Sequence, residues 1–161
     1  MNETTALEIY RKHLDLVTTA VWERNWDVVK QNLAVPTVLR SQDTELAVET
    51  MDDLFDAIKE VRASMVTMGA TAYFRVARHA EFSDALMTRI EGRHTTYIMT
   101  GGYYALPPFE STQTLKLENG VWKGWNMRAG VRNSTLTVIN PATARRLAPR
   151  PPARPDTANG T

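Results

Sequence analysis

At 161 residues with no cysteine, the chain is long enough for one domain with its own core, and disulfides and thiolate-bound zinc are excluded. Its formal net charge of +1 divides into +3 for the tail from Pro141 to Thr161, where four arginines face one aspartate, and −2 for residues 1–140. A mildly acidic body with a small basic tail lacks the footprint of a nucleic-acid binder, so no nucleic-acid partner is expected.

The N-terminus, MNETTALEIYRKHL, carries no basic leader ahead of an apolar run, and no apolar stretch reaches the ~18 residues of a membrane helix. A cytoplasmic protein without membrane attachment is the expectation. The first helix is predicted from Thr5 to Glu23, with Thr5 and Glu8 as a capping box. Leu7, Tyr10, Leu14, Val17 and Val21 recur at alternating spacings of three and four and form one apolar stripe, with His13 beside it. Asn25 punctuates, WDVVKQNL reads as a short second helix, and Pro36 ends it. VPTVLR and TELAVE flank SQD as a small hairpin. Thr50 with Asp53 caps a third helix running through Met51, Leu54, Phe55, Ile58, Val61, Met65 and Met68 to a stop at Gly69.

From Thr71 the apolar period becomes two, and four strands follow. In the first, alternation puts Ala72, Phe74, Val76, Ala80 and Phe82 on one face and Tyr73, Arg75, His79 and Glu81 on the other. Ser83-Asp84 reverses the chain into a long second strand beginning near Ala85. Gly92 marks a bulge there that re-aims His94, Tyr97 and Met99 toward the interior. Gly101 to Pro108 is a wide loop that could act as a lid, with Tyr103 and Tyr104 upon it. Phe109, Ser111, Gln113, Leu115 and Leu117 alternate along the third strand. Asn119-Gly120 is a hairpin turn into VWKGWNM, and VRNSTLTVIN could add a last short strand. The tail carries five of the eight prolines with almost nothing large and apolar, which predicts disorder across 141–161 after a single domain spanning 1–140.

Two helices, a hairpin, a capped helix and a sheet closed by an Asn-Gly turn before Trp122-Lys123 together resemble the NTF2-like superfamily in its SnoaL-like branch. Asn25-Trp26-Asp27, Pro36, Thr50-Met51-Asp52-Asp53, Gly69-Ala70-Thr71 and Glu118-Asn119-Gly120-Val121-Trp122-Lys123 carry the resemblance over residues 5–128. It implies an α+β cone: N-terminal helices packed on a strongly curved antiparallel or mixed sheet, a pocket between them, and a homodimer through the outer sheet face. It does not imply one activity, because the superfamily holds isomerases, dehydratases, cyclases, hydrolases, transport factors and plain pocket proteins. Counted from the Thr50 cap and the Gly120 turn, the acid positions of its ketosteroid isomerase-like members fall near Arg40 and Thr112, and neither is an acid.

Two functional readings follow. The first is a non-catalytic pocket protein for a small, mostly apolar ligand, lined by Tyr10, His13, Tyr73, Tyr97, Met99, Trp125 and Met127. Alternation sets Trp122 and Trp125 on opposite faces, and Trp125 is assigned inward with Met127. The second is a cofactor-independent lyase, isomerase or cyclase working through His94 and a tyrosine, since a histidine with a pKa near the working pH can accept and return a proton. Three histidines without HxH or HxxxH spacing give no metal site, and no cofactor is expected. A cavity without converging titratable groups points to binding alone, whereas a His–Asp or His–Tyr pair within hydrogen-bond reach points to the enzyme. A filled interior would leave only an interaction module.

Overall fold

A computed structural model describes residues 3–136; the tail from residue 141, expected to be disordered, lies outside them. Helix α1 (Glu3–Trp22) buries Tyr10, Leu14, Val17 and Val21, four of the five stripe residues. Thr5 lies inside this helix rather than at its cap, because helical geometry starts at Glu3. Arg24 takes a left-handed conformation (φ 61°) and turns the chain into α2 (Trp26–Gln31). β1 (Thr37–Arg40) and β2 (Glu45–Val48) form the expected hairpin. In α3 (Met51–Thr67) the Thr50 hydroxyl accepts the Asp53 backbone N–H at 3.2 Å, a cap worth about 1 kcal/mol, and Gly69 at φ 85° ends the helical run.

The long strands are β3 (Ala72–Phe82), β4 (Arg89–Thr100), β6 (Phe109–Glu118) and β7 (Val121–Ala129). With the short β5 (Tyr103–Tyr104) they and the hairpin make one seven-stranded sheet in the order β2-β1-β7-β6-β4-β3, β5 pairing with β4. Only β1 and β7 run parallel; the other pairs are antiparallel. Asn119 (φ 51°) and Gly120 (φ 79°) make the β6–β7 turn with the left-handed pair that such hairpins require. The sheet is mixed and open, and α1 lies across β3, β4 and β7 with α3 beside it.

Four further expectations change. Gly92 is paired in unbroken register with Ala80 and Gln113, so β4 carries no bulge there. The bulges fall in β3 between Ala77 and His79, and in β7, where Asn126 (φ 54°) has no partner between Trp125 and Met127. Residues 84–88 form a turn instead of the start of β4: the Asp84 carboxylate accepts the N–H groups of Thr88 and Arg89, both at 2.9 Å. Tyr103 and Tyr104 belong to β5 rather than to an irregular lid. Residues 131–136 run as turns and bends, with Val131 and Leu136 buried, and the rest of the expected last strand lies outside the described residues.

The core has two parts. Ala6, Tyr10, Leu14, Ala80, Ile90 and Leu115 fill one end beneath the first turns of α1. The larger part gathers Val17, Val21, Leu54, Met65 and Ile98 under α3 and the second half of α1.

Candidate functional site

The inner face of β4 is read directly from its burial, with Ile90, Gly92, His94, Thr96 and Ile98 inward and the residues between them outward. His94 is fully buried, and its Nδ1 lies 2.6 Å from the Tyr10 hydroxyl of α1. The pair meets because Gly92, one inward position before His94, leaves room for the phenol ring; a Cβ at Gly92 would overlap it. Burial pushes the Tyr10 phenol well above its usual range and holds His94 down to about 2, with the Arg75 charge opposing protonation of the imidazole further. Whichever partner carries the shared proton, Nε2 of His94 is buried without a partner.

A turn along α1, His13 packs over Gly124 of β7. A Cβ added at Gly124 would lie 2.5 Å from Gln113 Nε2, 2.8 Å from Leu33 and 3.0 Å from His13 Nε2, so this glycine makes space for Gln113 of β6 as well as for the helix side chain. Burial, then the charge of Arg75, lowers His13 to about 4, while a hydrogen bond to the Trp122 backbone works in the opposite sense. Nε2 of His13 and Oε1 of Gln113 are likewise buried without partners.

Beyond these groups the interior opens. A cavity of about 100 Å³ lies between the second half of α1 (Val17, Val21), α3 (Leu54, Ile58, Val61) and the sheet (Leu39, Tyr73, Gln113, Met127). A second, of about 50 Å³, is bordered by Met65, His94, Thr96 and Ile98 and shares Val61, Tyr73, Arg75 and Met127 with the first. Arg75 thus stands in both walls. It points inward from β3, is 8% exposed, and donates from Nε to the Thr18 hydroxyl at 2.6 Å.

Of the residues expected at the site, Tyr73, Trp125, Met127 and His94 border these cavities. Tyr10 and His13 lie behind the walls, Tyr10 in the filled end of the core. Tyr97 and Met99 face outward, since β4 runs in register through Gly92; Tyr97 stacks on Phe74 at 5.0 Å and accepts a hydrogen bond from Arg78 at 2.8 Å. The two tryptophans exchange faces. Trp122 packs inward against Phe82, with ring centres 6.3 Å apart. The Trp125 ring lies between the Arg89 and Lys116 cations of the outer face, 5.1 and 4.7 Å away, and its N–H donates to the Pro36 carbonyl at 2.7 Å. Trp125 still borders the larger cavity, next to the bulge at Asn126. Arg75, Gln113 and Thr18 were not anticipated as site residues. The one sequence signal for Arg75 was its alternation with Tyr73, and an arginine on a strand is ordinarily read as solvent-facing.

Among the described residues no three histidine, aspartate or glutamate side chains converge as a metal site would need. No protein-family profile and no curated protein matches the chain. Solved structures do. An NTF-2 like protein of unknown function from Shewanella oneidensis superposes with a TM-score of 0.60 at 10% identity, covering 76% of this chain and 97% of that one. The fold is NTF2-like. A designed NTF2 fold, a substituted form of Rd1NTF2_05, agrees equally well (TM-score 0.60, 12% identity, 75% and 96% covered). Rv3472, a protein of unknown function from Mycobacterium tuberculosis, matches over 86% of this chain and 88% of its own length (TM-score 0.57, 12% identity). At such identities the NTF2-like architecture is shared and no activity is carried with it.

Proposed function

We propose that this NTF2-like protein, of the SnoaL-like kind, binds a small and mostly apolar molecule between its helices and the inner face of its sheet. The observation that carries this reading is the pair of adjoining cavities, about 100 and 50 Å³, walled by aliphatic side chains and a few convergent polar groups. An engineered cavity of about 150 Å³ admits benzene, so the two volumes together suit an occupant built on a single six-membered ring. Saturation-transfer NMR with benzamide, a neutral probe of that size, tests the reading. Wild-type protein gives transfer, and Val61→Phe, which fills the wall common to both cavities, abolishes it; transfer that is absent from wild type or unchanged in the variant refutes the reading.

A second reading, a cofactor-independent lyase, isomerase or cyclase, is favoured by one observation: the Tyr10–His94 pair at hydrogen-bond distance. Its weakness is chemical. A general base works best with a pKa near the operating pH, and an imidazole held down to about 2 takes up a proton poorly at neutrality. The pair is therefore assigned to structure. The proposal also includes a cytoplasmic homodimer through the outer sheet face. There Phe74, Val76 and Tyr104 are exposed around the Phe74–Tyr97 stack, an aromatic surface of the kind that subunit interfaces cover. No helix among the described residues is long and apolar enough to cross a membrane.

A further inference from the structure

We propose that the occupant of this site is an anion, a single carboxylate on a small apolar body, held by Arg75. The proposal rests on the binding reading above and names the chemistry of its ligand. Arg75 is more than nine-tenths buried and lines both cavities. Its one hydrogen bond among the described residues runs from Nε to Thr18, a neutral hydroxyl, and no carboxylate pairs with it; the ion pairs found join other residues. A buried carboxylate, lysine or histidine can shed its charge by gaining or losing a proton. A guanidinium cannot, so its cost persists until an anion or further hydrogen bonds meet it.

The described residues supply no such anion. The titratable groups of the facing elements that feel the Arg75 charge are His13 and Tyr10 of α1 and His94 of β4, none of them an anion at neutral pH, and Glu91 lies on the outward face of β4, bonded to Thr114. The Thr18 bond fixes the guanidinium through Nε and leaves its two terminal nitrogens for a partner. Two parallel N–H donors match the two oxygens of a carboxylate. One cation in a small space suits a monoanion better than a phosphate dianion. The unpartnered His94 Nε2 and Gln113 Oε1 lie in the same walls and can hydrogen-bond a second polar atom, while Val17, Val21, Leu54 and Ile58 accept only an apolar body.

Calorimetric titration of the full chain with benzoate and with benzamide, alike in size but different in charge, tests the assignment. Wild type binds benzoate at least about tenfold more tightly than benzamide. Arg75→Met removes that preference by weakening benzoate more than benzamide, and its melting temperature does not fall, because the variant loses a buried cation that no described carboxylate pairs. Arg75→Lys, which keeps the charge without the fork, retains part of the preference and serves should the methionine variant not fold. Equal affinities in wild type, or a preference that survives Arg75→Met, overturn the anion assignment and leave the binding site standing. Failure of wild type to bind either probe overturns the assignment together with the binding reading.

Discussion

Tyr10 and His94, 84 positions apart in the chain, meet at 2.6 Å between the hydroxyl and Nδ1. This contact ties α1 to β4, the strand beside the edge strand β3, and it stands between the filled end of the interior and the hollow end. Because both groups are buried, the bond is expensive to break and nothing nearby replaces it.

Tyr10→Phe keeps the ring over Gly92 and deletes only the hydroxyl, leaving Nδ1 of His94 without its partner. The expected loss is about 1–3 kcal/mol, read as a lower urea midpoint with an unchanged slope. A variant as stable as wild type would mean that the bond adds nothing to the fold.

Gly92→Ala drives a methyl group into the Tyr10 ring. Overpacking of this kind costs about 3 kcal/mol where the neighbours cannot move. Tyr10→Ala removes the obstacle, so the double variant is more stable than the sum of the single losses allows, by at least about 1 kcal/mol in a denaturation cycle. Strict additivity would show that the two positions do not touch.

His13 and His94 are held neutral in the fold, at about 4 and about 2, against about 6.5 in the unfolded chain. The unfolded state therefore binds more protons below pH 6.5, and stability is complete above that value and falls as the pH drops toward the folded pKa values. Each histidine contributes a slope of about 1.4 kcal/mol per pH unit, so acid unfolding sets in between about pH 5 and 4. Urea midpoints measured from pH 7.5 to 4.5 check this, and His13→Gln removes its share of the slope. A flat profile would contradict it.

For the proposed dimer, Phe74→Lys places a charge within the exposed aromatic surface on the outer face. Light scattering gives twice the chain mass for wild type and a single chain mass for the variant, with the melting curve otherwise preserved. A wild-type monomer at micromolar concentration removes the dimer.

The element order was legible in the sequence because its signals are local. The Thr50 cap, the Gly69 stop and the Asn119-Gly120 turn each act within four residues, and all three stand where expected. The orientation of side chains was less legible, because one inserted residue inverts alternation. The bulge at Ala77–His79 parts Phe74 and Val76, which are exposed, from Ala80, which is buried, although a strict period of two puts all three on one face. Gly92 invited a bulge, but its missing side chain answers to Tyr10, 82 positions earlier, and no local rule carries that information. Arg75 was hidden for a related reason: strand periodicity identifies a shared face, but only the packed helix decides which face is covered.

The two glycines under α1 also explain where the empty space lies. Tyr10 over Gly92 and His13 over Gly124 let the front of the helix settle deep into the sheet. Val17 and Val21 have no such notch beneath them and form a wall of the larger cavity. Tyr10 and Gly92 lie outside both cavity walls, so the capacity of the hollow can be tuned remotely, by altering how the front of α1 docks at Gly92, without changing any residue that faces the occupant.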